Sequence, residues 1–221
     1  MHASDWRHRA VDRNGARSGT RARHSSTTDT SVARARTSPI WRVDRLAHRA
    51  LVLLVAVDAA DDALVYVALA GRCTGLVEHA QRHRARIVVE TRRRTRARRE
   101  LGEYLDGRRT AFTLRLRPLG TPFETQVWSA LAAIPFGTTC SYGALAGAVA
   151  AGSARAVGRA NGANPLPIVL PCHRVIGADG DLVGFGGGLA AKRWLLQLEQ
   201  HRAPPSWRPG EPEPVQLGLF A

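Results

Sequence analysis

The sequence predicts an α+β fold, in which a small α/β half is followed by a mainly helical half containing a helix-turn-helix. Three observations carry this expectation. Two apolar, β-branched runs, LVLLVAV (51–57) and ALVYVAL (63–69), flank the acidic turn DAADD. Helix-start signals recur in the second half at Thr121, Ser141 and Ser153. A chain of 221 residues that is 44% hydrophobic can build one medium core or two small ones, which excludes wholesale disorder.

Taken in order, residues 1–45 mix Arg, Ser, Thr and His without an apolar period. They are expected to form a disordered basic arm that attracts DNA non-specifically, or to reflect a misassigned start, with Val43 as the alternative initiation point. Residues 46–118 form the α/β half. RIVVE (86–90) reads as a third strand, and Thr91–Asp106 as a helix closed by Gly107 as C-cap. FTLRLRP then alternates Phe112, Leu114 and Leu116 with Thr113, Arg115 and Arg117.

Residues 119–201 form the helical half. TPFE supplies an N-cap Thr121, Pro122 at the first helical position and Glu124 for a capping box, ahead of the stripe Phe123, Val127, Trp128 and Leu131. Ser141 caps a helix over Tyr142–Ala150, and Ser153 caps another over Ala154–Ala163; the pair has helix-turn-helix dimensions. Small residues such as Ala154 and Gly158 let this last backbone approach a partner closely, with Arg155 and Arg159 four apart on one face. Asn164-Pro165 makes a turn, Ile168–Leu170 a buried strand, and Pro171 a stop that leaves Cys172 on a tight corner. LAAKRWLLQLE (189–199) is a helix whose apolar face is Leu189, Trp194, Leu195 and Leu198. Residues 202–221 are a Pro-rich tail ending in QLGLF.

The net charge is +14, which suits a nucleic acid, an anionic surface or an acidic partner. Its placement is uneven, because residues 119–221 carry seven cations and six acids, only +1. Lys192 is the single lysine among 32 cations, a bias that first suggests a GC-rich genome. Three cysteines without paired spacing argue against a disulfide framework and for a reducing, cytoplasmic setting. The longest apolar run, Leu51–Val57, falls far short of the roughly 20 residues that span a bilayer, and no secretory signal is evident.

Cys172 beside His173 suggests an activated thiol, since a free thiol is only a few per cent ionised at neutral pH. The surrounding strings TPFETQVW, IPFGTTCSYGALA, RAVGRANGANP, PCHRV and GGLAAKRWLLQLE stand in an order that resembles the O6-alkylguanine-DNA alkyltransferases, also called methylated-DNA–protein-cysteine methyltransferases. The resemblance is strong over residues 119–200. Residues 46–118 are similar to that family's RNase H-like N-terminal domain, and it implies a winged-helix-like second domain.

The resemblance implies that Cys172 accepts the alkyl group, that His173 is its base through a bridging water, and that Glu199 orients His173. Tyr142 would serve N3 of the departing guanine, and Asn164 would be the hinge between the helix-turn-helix and the active-site loop. Arg155 would fill the stack vacated by the flipped nucleotide, with Ala154, Gly158 and Arg159 against the minor groove of double-stranded DNA. Val175, Pro167, Phe185 and Gly186 would line the base pocket, the carbonyls of Cys172 and Val175 reading the guanine 2-amino group. No cofactor or metal is implied, and a monomer suffices. Phe185 stands where the family has a tyrosine, and Gly186 follows it. Cys73, His79 and His83 invite comparison with a zinc cluster without matching the family's ligands, and Cys140 reads as a packed small residue. Rival readings are a lesion-flagging binding module, against which Cys172 argues, and a cysteine hydrolase, which would turn over. In the tail, Gln216, Leu217, Leu219 and Phe220 resemble the pentapeptide that docks bacterial repair proteins on the sliding clamp; folding back on the domain is the alternative.

Overall fold

The computed structural model describes residues 38–48, 51–69, 73–90, 94–150 and 153–201. These belong to one compact unit that starts at Thr37. It opens with a four-stranded sheet of β1 (Ile40–Ala47), β2 (Val52–Asp58), β3 (Leu64–Leu69) and β4 (Arg86–Val89), in the order β3-β2-β1-β4. The first three strands are antiparallel, while β4 runs parallel to β1 after the crossover helix α1 (Cys73–Arg82). Helix α2 (Arg96–Leu105) follows, then α3 (Pro122–Ala132), the strand pair β5 (Cys140–Ser141) and β6 (Val175–Ile176), α4 (Tyr142–Ala148), α5 (Ala154–Gly162) and α6 (Leu189–Gln200).

Alternation along the strands divides the core between the two faces of the sheet. Trp41, Val43, Ala56, Val65 and Ala68 pack with Leu76 and Ala80 of α1. Leu53, Val55, Val57 and Val67 face the other way and join Leu101, Tyr104 and Leu105 of α2 to Trp128, Leu131, Leu145, Val157 and Leu195. The second cluster is continuous across residue 119, so the α/β and helical halves share one core. The outer edge of β3 is covered as well: Leu64 N donates to Arg115 O at 2.8 Å, Arg117 N donates to Leu64 O at 2.9 Å, and Val67 N donates to Pro165 O at 2.8 Å.

Helix α3 begins as expected. Thr121 Oγ1 accepts from Glu124 N at 3.2 Å while Glu124 Oε2 accepts from Thr121 N at 2.8 Å. Trp128 is fully buried, its Nε1 donating to Ala160 O at 2.8 Å, and a Cβ at Gly120 would lie 2.3 Å from its ring. Ser141 and Ser153 cap α4 and α5, and Gly107 takes φ +67 just past α2, whose N-cap is Thr95.

Several expectations are corrected. The arm drawn to residue 45 ends before β1, which starts at Ile40; Trp41 and Val43 pack on one face of the sheet and Leu46 on the other, but the intervening Arg42 and Arg45 break up the apolar pattern, and Arg42 pairs with Asp62. Val43 is therefore an interior strand residue, paired with Ala56. The rest of the arm lies outside the described residues, as do 202–221 with Gln216, Leu217, Leu219 and Phe220. Helix α1 was not expected from its mixed composition. FTLRLRP contributes only an isolated bridge, though Leu114 and Leu116 are buried. Residues 168–170 are not a strand, because Ile168 adopts φ +77 and Leu170 N folds back to Leu166 O at 2.8 Å. On α6, Leu189 is 44% exposed, whereas Lys192 and Glu199 are fully buried beside Leu195. Among the described residues no helix is long and apolar enough to cross a membrane.

Removing the α3 cap in Thr121→Ala should lower stability by about 1 kcal/mol, read as an earlier urea midpoint with an unchanged slope. An unchanged midpoint would show that the capping box contributes nothing.

Candidate active site

The reactive turn is shaped by the proline-rich segment before it. Asn164 Nδ2 donates to Leu170 O at 2.7 Å and Asn164 Oδ1 accepts from Leu166 N at 2.9 Å, so one side chain closes the loop across 164–170. Pro171 precedes a single 3-10 turn, Cys172–Arg174, and Cys172 N donates to Leu170 O at 2.8 Å. Cys172 and His173 are both buried.

Glu199, on the last turn of α6, reaches under this turn. Its Oε1 lies 2.7 Å from His173 Nε2, and Arg174 holds the carboxylate through Nε at 3.0 and 3.2 Å and through a second guanidinium nitrogen at 3.0 Å. Gly137 N donates to Oε2 at 2.9 Å, and the Tyr104 hydroxyl of α2 donates to Oε1. Despite its burial, the neighbouring His173 and Arg174 hold this carboxyl far below the ordinary carboxylate range. An ionised Glu199 can only accept, so Nε2 of His173 must carry a proton. Burial also pushes His173 below its ordinary 6.5, against the pull of Glu199. The ring is thus neutral at pH 7, with Nδ1 as its lone-pair nitrogen, and Nδ1 is buried without a protein hydrogen-bond partner.

Burial drives the Cys172 thiol up to about 11, although the Asn164 amide, the Lys192 charge and the backbone N–H groups of Cys172 and His173 oppose it. At that value only about one molecule in ten thousand is thiolate at pH 7, so a proton acceptor is needed. Lys192 is fully buried and donates to Val175 O at 2.5 Å, Val183 O at 2.7 Å and Gly184 O at 3.5 Å. It ties the reactive turn to the loop that carries Phe185, whose ring meets His173 edge-on at 6.3 Å.

Tyr142, the first residue of α4, lies with its hydroxyl 3.3 Å from Asn161 Nδ2; its ring faces Gly158, and its hydroxyl faces Gly184. Burial raises the phenol, and a Cys172 thiolate would raise it further. Cys172, His173, Glu199, Tyr142 and Asn164 are thus gathered around one turn, with Val175 and Pro167 buried beside them. Arg155, Arg159 and Ala154 are not in this cluster but on the exposed side of α5, whose inner side is Val157, Ala160 and Asn161; Gly158 is half-buried, and Gly186 is exposed. The His79 and His83 rings meet at a tilt, 4.6 Å between centroids, and among the described residues no group of three His, Cys, Asp or Glu could hold a metal ion.

Sequence reasoning missed Tyr104, Gly137, Arg174 and Lys192. Arg174 stood inside PCHRV, and Lys192 was conspicuous as the lone lysine. Nothing in the local sequence singled out Tyr104 or Gly137.

Residues 122–201 match the family model "6-O-methylguanine DNA methyltransferase, DNA binding domain". The methylated-DNA–protein-cysteine methyltransferase of Mycobacterium tuberculosis is 54% identical over 106 residues, 48% of this chain and 64% of that protein. That of Salmonella typhimurium is 51% identical over 102 residues, 45% and 60% of the two chains. The crystal structure of the M. tuberculosis O6-methylguanine methyltransferase superposes with a TM-score of 0.63 and 37% identity, covering 75% of this chain and 96% of that one. The chain belongs to the methylated-DNA–protein-cysteine methyltransferase family. The sequence match to the mycobacterial methyltransferase spans less than two thirds of its length, whereas the structural match covers 96% of that chain. A further methyltransferase structure, M. tuberculosis OGT in complex with DNA, superposes at 0.62 with 37% identity over 74% of this chain and 96% of that one.

The Glu199 carboxylate gives a pH-dependent prediction. Its pKa is lowered on folding, so its stabilisation is present above the ordinary 4.5 and is lost as pH falls below that value. Glu199→Gln should cost about 3 to 5 kcal/mol at pH 7, a gap from wild type that narrows between pH 4.5 and 3 in urea titrations. A gap independent of pH would contradict the assignment of a buried charge.

Proposed function

We propose that this protein repairs DNA by irreversibly transferring a methyl or larger alkyl group from O6 of guanine, and less well from O4 of thymine, to Cys172, each molecule acting once. The observation that carries the proposal is the buried Cys172 turn backed by the His173–Glu199 pair at 2.7 Å. Cys172 Sγ attacks the alkyl carbon, so the S–C bond forms as the C–O6 bond breaks. The thiol proton passes through a water to His173 Nδ1, whose Nε2–H stays on Glu199. The leaving guanine takes a proton at N3 from the Tyr142 hydroxyl, which is restored from His173 by way of solvent. The thioether product is neutral and suits a site that opposes charge on sulfur. No cofactor enters this balance.

The target carbon is shielded in duplex DNA, so the nucleotide must be flipped out at a cost of a few kcal/mol. The exposed side of α5 supports a minor-groove role for it, with Arg155 filling the gap in the stack and Ala154, Gly158 and Arg159 against the backbone. Pro167, Val175, Phe185 and Gly186 would line the base pocket, where the carbonyls of Cys172 and Val175 each retain a lone pair beyond their contacts with Val175 N and Lys192. An RNase H-like reading of the N-terminal half is supported by the β3-β2-β1-β4 order with β4 parallel to β1, and a winged-helix-like reading of the second half by β5 and β6 beside α3–α5. A cytoplasmic monomer fits a single-use protein. The tail QLGLF would bind the sliding clamp through Gln216, Leu217, Leu219 and Phe220.

Incubation with O6-methylguanine DNA should add one methyl, about 14 Da by intact mass, to wild type and Cys140→Ala but not to Cys172→Ala. No gain in wild type, or continued turnover, would overturn the proposal. Because His173 lies below 6.5, the rate should hold down to that pH and fall only at lower values in single-turnover assays. Deleting residues 215–221 should abolish clamp binding and leave transfer intact; equal clamp affinity would refute the tail's role.

A further inference from the structure

Helix α2 lies outside the segment 122–201 that matches the family model, yet it sends one side chain into the reactive centre. Tyr104 is fully buried, stacks on Phe112 at 5.3 Å and meets Phe136 edge-on at 6.1 Å. Its hydroxyl donates to Glu199 Oε1 and lies 3.4 Å from His173 Nε2. Three groups therefore crowd one carboxylate oxygen: the Tyr104 hydroxyl, the His173 ring and the Arg174 guanidinium.

We propose that Tyr104 is a positioning residue for alkyl transfer, fixing the Glu199 carboxylate and thereby the orientation and basicity of His173, so that the N-terminal half completes the reactive centre. The inference rests on the transfer reaction proposed above. A hydrogen bond to a carboxylate stabilises its charge and makes it a weaker acceptor for any other donor. With the phenol in place, Glu199 divides its acceptor capacity among Tyr104, Arg174, Gly137 and His173, which limits how far it stabilises an imidazolium. Burial and the nearby carboxylate push the phenol well above its ordinary 10, so it remains a donor across the neutral and acid range. The phenol also stands beside Nε2, and a ring turned about its Cβ–Cγ bond would give up the Glu199 contact that holds Nδ1 free to receive the thiol proton.

Tyr104→Phe keeps the ring and its stacking and removes only the hydroxyl. The test is single-turnover methyl transfer from O6-methylguanine DNA across pH, with wild type and Phe112→Leu in parallel. In Tyr104→Phe the plateau rate should fall about tenfold through loss of positioning, and the acid limb should move up by about half a pH unit or more as Glu199 favours the imidazolium. Phe112→Leu loosens the same aromatic packing without touching a polar atom, so it should lower thermal stability and leave the acid limb where wild type has it. Equal rate and limb in Tyr104→Phe and wild type would overturn the inference. So would the same limb shift in Phe112→Leu, because packing alone would then explain it. Absence of methyl gain in wild type would instead overturn the transfer reaction itself.

Discussion

The buried carboxylate of Glu199 is the constraint on which the rest of the structure depends. A charge taken out of water must be met by donors from the protein, or it will neutralise or unfold its site. Here the donors come from three places in the chain: the reactive turn with His173 and Arg174, the loop after α3 with Gly137, and α2 with Tyr104. Satisfying one group therefore gathers α2, the loop after α3 and the Cys172 turn around the end of α6. The same arrangement leaves His173 neutral and with one defined tautomer, which is the state a base for a buried thiol needs.

Cys172 shows the complementary strategy. Its surroundings oppose the thiolate overall, so the thiol stays protonated at neutral pH, and a thioether formed there would carry no charge to penalise. Lys192 moderates this opposition and holds three carbonyls of the reactive turn and pocket loop. An ammonium presents three donors around a point, which fits converging carbonyls; the planar fork of an arginine would not. In a chain that otherwise uses arginine, the single lysine meets converging carbonyls, while Arg174 meets the Glu199 carboxylate with its guanidinium.

Much of this was legible in the sequence because local signals and the global fold agree. The caps at Thr121, Ser141 and Ser153 named three helices, and the apolar runs named β2 and β3. Cys172, His173, Glu199, Tyr142 and Asn164 were recognisable through the strings that contain them. β1 was hidden because Arg42 and Arg45 interrupt its apolar residues and look like part of a basic arm, and α1 because its buried residues, Leu76, His79 and Ala80, are few and mixed. Ile168 in a left-handed conformation runs against its β-branched preference, so the turn at 168–170 reads as a strand until Asn164 is seen to close it. Tyr104 carries no local signal because its role arises from a contact 95 residues away in sequence.

The bulk charge is a weaker guide than it first looks. The half that carries α5 and the reactive turn is nearly neutral, so the proposed contact with DNA would rest on the placement of Arg155 and Arg159 rather than on the +14 total. Glu199 holds His173 neutral, with the proton on Nε2 and the buried Nδ1 free of a protein hydrogen bond. Nitrogen NMR of the histidine rings, with His173 assigned through a His173→Gln variant, reads this state directly. The account predicts a protonated Nε2 and an unprotonated Nδ1 at pH 7, persisting below pH 6.5. An imidazolium at pH 7, or a proton on Nδ1, would contradict it.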